Sequence, residues 1–198
     1  MGEAPRGTIG RVTASSPAAL TVVFLHAHPD DEASRTSGTM RLLADAGHRV
    51  VVAYATNGDH GTSPEDLEPG ETLVDRRRAE AEASAEVTGA QAVHWLGYAD
   101  SGMTGWDQNT HETSFHSADA SAAAGNPFGT HEAEIHWEGD VTDQMPVKRR
   151  ALECHASQTS DVGFMLSLPA EAFAEWFGTE FYAEPGRAPG LVSATWWE

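Results

Sequence analysis

The stretch that decides the fold is Leu20-Thr21-Val22-Val23-Phe24-Leu25, followed without a break by His26-Ala27-His28-Pro29-Asp30-Asp31-Glu32. The first six residues form a short, continuously apolar, β-branched run, the pattern of a strand buried on both faces. The next seven crowd two imidazoles and three carboxylates onto the point where that strand must end.

Outward from this point, strands and helices alternate. Apolar Met40, Leu42, Leu43 and Ala46 recur at helical spacing within residues 34–46, and Gly47 supplies a C-terminal cap. Val50 to Ala55 (VVVAYA) repeats the buried-strand pattern and ends in the polar turn Thr56 to Gly61, TNGDHG. Leu73 to Val87 is charged, Ala-rich and closed by Gly89, so it reads as a second helix, and Ala92 to Leu96 (AVHWL) as a third strand. Beyond Gly97 the alternation fails, and residues 100–127 show no convincing element. Glu134 to Trp137 reads as a further strand, and Val147 to Ala156 and Glu171 to Phe177 as helices. The EPGRAPG segment reads as an extended surface tail.

This order predicts an α/β fold, a Rossmann-like three-layer sandwich with a mostly parallel sheet. Right-handed crossovers would bring the loop after each strand to one edge, where ligands bind. Residues 1–19 read as a loose N-terminal tail and 20–198 as a single domain.

The bulk composition narrows the function. With 12 basic against 30 acidic side chains the formal charge is −18, so the long-range field repels phosphate backbones and anionic lipids. Nucleic acid and membrane surfaces are therefore not expected partners. Cys154 is the only cysteine, no stretch has the length of a membrane span, and residues 1–20 hold no apolar run of signal-peptide length, so a cytoplasmic location is the simplest expectation. The oligomeric state is left open.

An imidazole and a carboxylate are both good ligands for a divalent metal, and catalytic zinc takes three protein groups and a water. His28 and Asp31 fit as two of these groups. The side chains of adjacent Asp30 and Asp31 diverge, so one can hold a metal while the other accepts a proton from water. The plain alternative is a helix cap stiffened by Pro29. A phosphoreceiver domain also begins with paired acids, but it needs an acceptor Asp ending the third strand, which here ends Trp95-Leu96-Gly97, and a later Lys, of which Lys148 is the only one in the chain.

The string AHPDDE, Ala27 to Glu32, resembles the hallmark of the LmbE-like or PIG-L deacetylase family, zinc hydrolases acting on N-acetylglucosaminyl compounds that include those of mycothiol metabolism. The resemblance continues, in the family's order, through ATNGDHG at Ala55 to Gly61, the helix with Arg77 and Glu80, LGYADSGM at Leu96 to Met103, and KRRALECHASQ at Lys148 to Gln158. It implies that His28 and Asp31 bind Zn2+ or another divalent metal, that Asp30 is the base, and that Arg77 and Asp100 contact a small amino-sugar conjugate. The implied reaction removes an acetyl group by attack of a metal-activated water. For Arg77 the plain reading is a solvated helix residue, for Asp100 a turn residue, and for His26 a satisfied core histidine. His155 reads as a packing residue behind the site.

One family feature is missing. The third metal ligand and second catalytic histidine belong to a GHPDH-like motif, and no such string occurs here. The shortfall falls between Phe115 and Asn126, where a strand and its ligand-bearing loop are expected, so a missing segment is inferred there. His111, His116 or a second subunit would have to complete the metal site. Otherwise the chain is a catalytically impaired relative that binds sugars or partners.

Overall fold

The structure is a computed structural model and describes residues 18–102, 105–112, 132–158 and 162–195. The segment 115–126 and His116 lie outside the described residues, as does nearly all of the 1–19 tail.

Three parallel strands carry the N-terminal half. β1 (Thr21–His26) pairs with β2 (Arg49–Thr56) from Thr21 opposite Arg49 to His26 opposite Tyr54, and β2 pairs with β3 (Ala92–Tyr98) from Val51 opposite Ala92. The order β1-β2-β3 makes β2 central. That position explains a difference from the sequence reading. VVVAYA is buried throughout, whereas LTVVFL leaves Val23 and Leu25 exposed, because β1 lies at the sheet edge and the described residues cover only one of its faces. Apolar runs of equal strength thus end in unequal burial, set by strand order.

The covered face packs on two helices. Phe24, Val50, Val52 and Tyr54 meet Met40 and Leu43 of α2 (Ser37–Asp45) and Ala81 and Ala85 of α3 (Leu73–Thr88). Burying a side chain such as Met40 or Leu43 contributes about 1.5–3 kcal/mol each. The start of α3 is set by a capping box, with Thr72 Oγ1 accepting from the Asp75 amide at 3.2 Å and Asp75 Oδ2 accepting from the Thr72 amide at 3.0 Å. Gly89, at φ 80°, ends it in the left-handed conformation expected of a C-terminal glycine.

The single helix read over 34–46 is two, α1 (Asp31–Arg35) and α2, broken at Thr36. The break has a distant cause. Gly38 and Thr39 donate their amides to the two carboxylate oxygens of Glu180, at 3.0 Å each, so an acid 142 residues away caps α2.

Glu180 belongs to a second sheet of order β5-β4-β6, made of β4 (Trp137–Asp140), β5 (Thr179–Tyr182) and β6 (Val192–Ser193). β4 begins where the sequence reading ended its strand, and a short 3-10 turn occupies Glu132–Glu134. β6 follows the EPGRAPG turn and pairs parallel with β4, so that segment returns to the sheet and is not a free tail. After β4, α4 (Met145–Cys154), α5 (Val162–Ser167) and α6 (Ala170–Phe177) join Ala33 of α1 and Val141 in a second core with Met145, Leu152, Val162 and Phe173. The α/β class with a parallel sheet is therefore as expected. All three parallel strands end toward the same edge, which brings together the loops after β1, β2 and β3.

Candidate active site

Each loop at that edge supplies part of one constellation. The loop after β1 carries His28, Asp30 and Asp31, the loop after β2 carries Asp59 and His60, the loop after β3 carries Asp100, and α3 contributes Arg77. Six of these residues, His28, Asp30, Asp31, His60, Arg77 and Asp100, line a cleft of about 300 Å³.

His28 sits between two acids. Its Nδ1 is 3.6 Å from Asp31 Oδ2 and its Nε2 is 3.4 Å from Asp100 Oδ1. The Asp31 carboxylate also accepts from the His28 amide at 3.0 Å. Asp100 Oδ1 accepts from the Gly102 amide at 2.9 Å and Oδ2 from the His60 amide at 3.2 Å. Bonding to Asp100, and then to Asp31, holds the imidazole ionised up to about 10 against the opposing effect of burial. Burial pushes the Asp31 carboxyl up, but the His28 ring and amide outweigh it and bring it down to about 2. Asp100 behaves likewise and is held below the usual carboxylate range.

Asp30 differs from both. Burial raises its carboxyl to about 6, with Arg77 opposing the rise. Arg77 is buried, so the plain reading of a solvated helix arginine does not hold. It donates from Nη1 to the Gly58 carbonyl at 2.8 Å, from Nη2 to Asp30 Oδ2 at 3.0 Å, and from Nη2 to the Pro29 carbonyl. A Cβ at Gly58 would run into the Arg77 guanidinium, so a side chain there would displace it. The two adjacent aspartates thus diverge as the sequence reading required, one toward Arg77 and one toward His28 and, through Oδ1 at 3.4 Å, Arg35.

Of the remaining histidines, His26 is half-buried, bonds Thr36 Oγ1 at 3.0 Å and does not line this cleft. His155 is fully buried behind the site, 2.7 Å from Glu32. His111 lines a neighbouring cleft together with Asp59, His60 and Asp100.

Sequence reasoning passed over three participants. Asp59 and His60 were quoted only as part of the TNGDHG turn, yet with Asp100 they place one donor atom each within 4.8 Å of one another, a group able to hold a cation. Their position immediately after a parallel strand was the available signal. Glu32 was read only as the end of AHPDDE. Its complete burial, 0% exposed, had no signature in the local pattern.

The donor chemistry fits a divalent ion. An imidazole and carboxylates converge on one partly open cleft, and such nitrogen and oxygen donors suit zinc and other divalent metals.

The chain is 39% identical over 92 residues to a 1D-myo-inositol 2-acetamido-2-deoxy-alpha-D-glucopyranoside deacetylase of Kineococcus radiotolerans, covering 41% of this chain and 25% of that protein. It is 33% identical over 89 residues to a mycothiol S-conjugate amidase of Streptomyces coelicolor, covering 42% and 30%. The matched stretch therefore spans about a quarter to a third of these two relatives. Among solved structures, the N,N'-diacetylchitobiose deacetylase from Pyrococcus horikoshii aligns over 84% of this chain and 85% of its own, with a TM-score of 0.55 and 22% identity, a likeness of fold. The model of the PIG-L family, described as GlcNAc-PI de-N-acetylase, matches residues 23–121, half of the chain. On that match, and on the cleft built from the same residues, the chain belongs to the PIG-L deacetylase family.

Proposed function

We propose that this chain hydrolyses the acetamide of an N-acetylglucosaminyl-type conjugate, with Asp30 as general base, His28 and Asp31 as metal ligands, and Arg77 and Asp100 facing the polar substrate. The observation that carries the reading is the divergence of the paired aspartates. Asp31 is held ionised beside His28, while Asp30 is raised to about 6 beside Arg77.

A base is most effective when its pKa lies near the working pH, and burial brings Asp30 there. Its carboxylate takes a proton from the attacking water and is positioned to return one to the departing amine. Arg77 keeps the Asp30 carboxyl oriented and prevents burial from neutralising it altogether. His28 and Asp31 would hold the ion once the ring gives up the proton it shares with its acid neighbours, with Asp100 beside them. When bound, zinc or another divalent metal supplies a Lewis acid for the acyl carbonyl and eases deprotonation of water. Asp100, anchored by the Gly102 and His60 amides, presents a fixed acceptor to substrate hydroxyls.

Small amino-sugar conjugates, the substrates named for the relatives, suit a cleft of this size and polarity. No helix among the described residues is long and apolar enough to cross a membrane. We place the activity in the cytoplasm, in keeping with the single cysteine.

The test combines metal analysis with an assay of amine release from N-acetylglucosamine conjugates. The reading expects bound divalent metal, its loss in His28→Ala without loss of folding, and loss of turnover in Asp30→Ala. An Asp30→Ala variant as active as the parent would refute the assigned base. The absence of a GHPDH string favours a second reading, a chain that binds amino sugars without turning them over. Saturable sugar binding with no amine release would select it.

A further inference from the structure

Among the described residues, Asp30 is the one non-glycine with a positive φ, at 125° with ψ −28°. Side chains rarely adopt this backbone conformation, and it persists only where the surroundings over-determine it. Three bonds impose it. Arg77 grips the carboxylate, the Ala33 amide donates to the Asp30 carbonyl at 3.1 Å, and the Asp30 amide donates to Glu32 Oε2, also at 3.1 Å.

The third bond leads away from the cleft. Glu32 is fully buried, and its other oxygen, Oε1, accepts from Ser84 Oγ at 2.7 Å and stands 2.7 Å from His155 Nε2. Ser84 lies on α3 and His155 directly after α4, 52 and 123 residues away in the chain. Both are fully buried as well. A carboxylate oxygen so placed can only accept, so the shared proton belongs on His155 Nε2. Two distant elements therefore fix one oxygen of Glu32 and leave the other aimed at the Asp30 amide.

We propose that Glu32, held by His155 and Ser84, is the positioning residue for Asp30: the buried carboxylate fixes the strained backbone from which the base is aimed into the cleft. The proposal rests on the assignment of Asp30 as base. His155 and Ser84 act through Glu32 and touch no substrate. His155→Leu removes a donor and leaves the Glu32 oxygen under-bonded, so the carboxylate is free to rotate away from the Asp30 amide. His155→Gln keeps an N–H donor and restores the aim.

The experiment measures amide hydrogen exchange by NMR on the full metal-free chain, with turnover of the zinc-loaded chain measured in parallel. In His155→Leu the Asp30 amide should exchange at least about tenfold faster than in the parent, while Val52 in β2 stays protected. His155→Gln should recover most of that protection. With an N-acetylglucosamine conjugate, kcat should fall about tenfold in His155→Leu while KM stays within about twofold, because the alignment of the base is lost and binding is not. Unchanged Asp30 exchange overturns the proposal, as does exchange that quickens with kcat unmoved, or equal loss in the Leu and Gln variants. If His155→Leu loses Val52 protection, Ser84→Ala decides by the same measurements. A parent chain that releases no amine refutes the functional reading alone, since the exchange of the Asp30 amide still reports on the positioning.

Discussion

Arg77 Nη2 stands 3.0 Å from Asp30 Oδ2, and the same guanidinium ties the Pro29 and Gly58 carbonyls. One buried cation therefore joins the loop after β1 to the loop after β2 and holds the proposed base between them. Without the cation, burial of Asp30 is opposed only by the weaker attraction of His155. In Arg77→Met the Asp30 carboxyl should rise above about 6, and because a base works only when ionised, the acid limb of the pH–rate profile should move to higher pH. Turnover at pH 6 should drop more than turnover at pH 8. Superimposable profiles for the two proteins would separate Arg77 from Asp30.

A pair of glycines tests the same contact from the opposite side. Gly47 (φ 86°) and Gly58 (φ 65°) both use the left-handed region, but a Cβ at Gly47 meets nothing within 4 Å, whereas one at Gly58 meets the Arg77 guanidinium. Both Ala variants should lose about 1–2 kcal/mol to backbone strain, as judged by denaturant midpoints. Only Gly58→Ala should also lose activity, because Arg77 must move. Equal turnover in the two variants would show that the site tolerates displacement of the guanidinium.

Behind the site, Lys148 Nζ lies 2.8 Å from Glu180 Oε1, with 1% and 2% of the two side chains exposed. Glu180 also caps α2, and Lys148 donates to the Ser34 carbonyl at 3.1 Å. Lys148→Met leaves a buried carboxylate without its cation and should cost roughly 3–5 kcal/mol in chemical unfolding. A loss below about 1 kcal/mol would mean that the α2 amides and the Tyr182 hydroxyl satisfy Glu180 without the cation.

Those two residues also mark where the sequence stopped being readable. β1, β2, α3 and β3 were legible because each carries its own signal, an apolar run or a capped helix, and the parallel order placed His28, Asp31 and Asp100 at one edge. The break at Thr36 was not legible, because its cause is Glu180, on a strand too short and polar to announce itself. The site divides in the same way. His28, Asp30 and Asp31 are contiguous and could be assigned together, whereas the Glu32–Ser84–His155 set spans 123 residues and exists only after α3 and α4 pack. Whether Arg77 is solvated or buried likewise depends on the approach of Gly58, which no helical pattern within α3 encodes.

Glu32 contributes to the acid limit of stability, beside Asp31 and Asp100. Burial pushes its carboxyl up, but attraction to His155 and the bonds from His155 and Ser84 prevail and bring it from 4.5 down to about 2. A carboxyl with a depressed folded-state pKa adds stability above its unfolded value and loses it as pH falls, so the window runs from about pH 4.5 to pH 2. The same attraction raises His155, so the pair is one coupling and is counted once. A shift of this size corresponds to on the order of 3 kcal/mol. Glu32→Gln should be less stable than the parent at pH 6, and the gap should narrow by roughly that amount by pH 2.5 in urea titrations. Two stability curves running parallel across that window would mean that the buried carboxylate is not ionised in the folded chain.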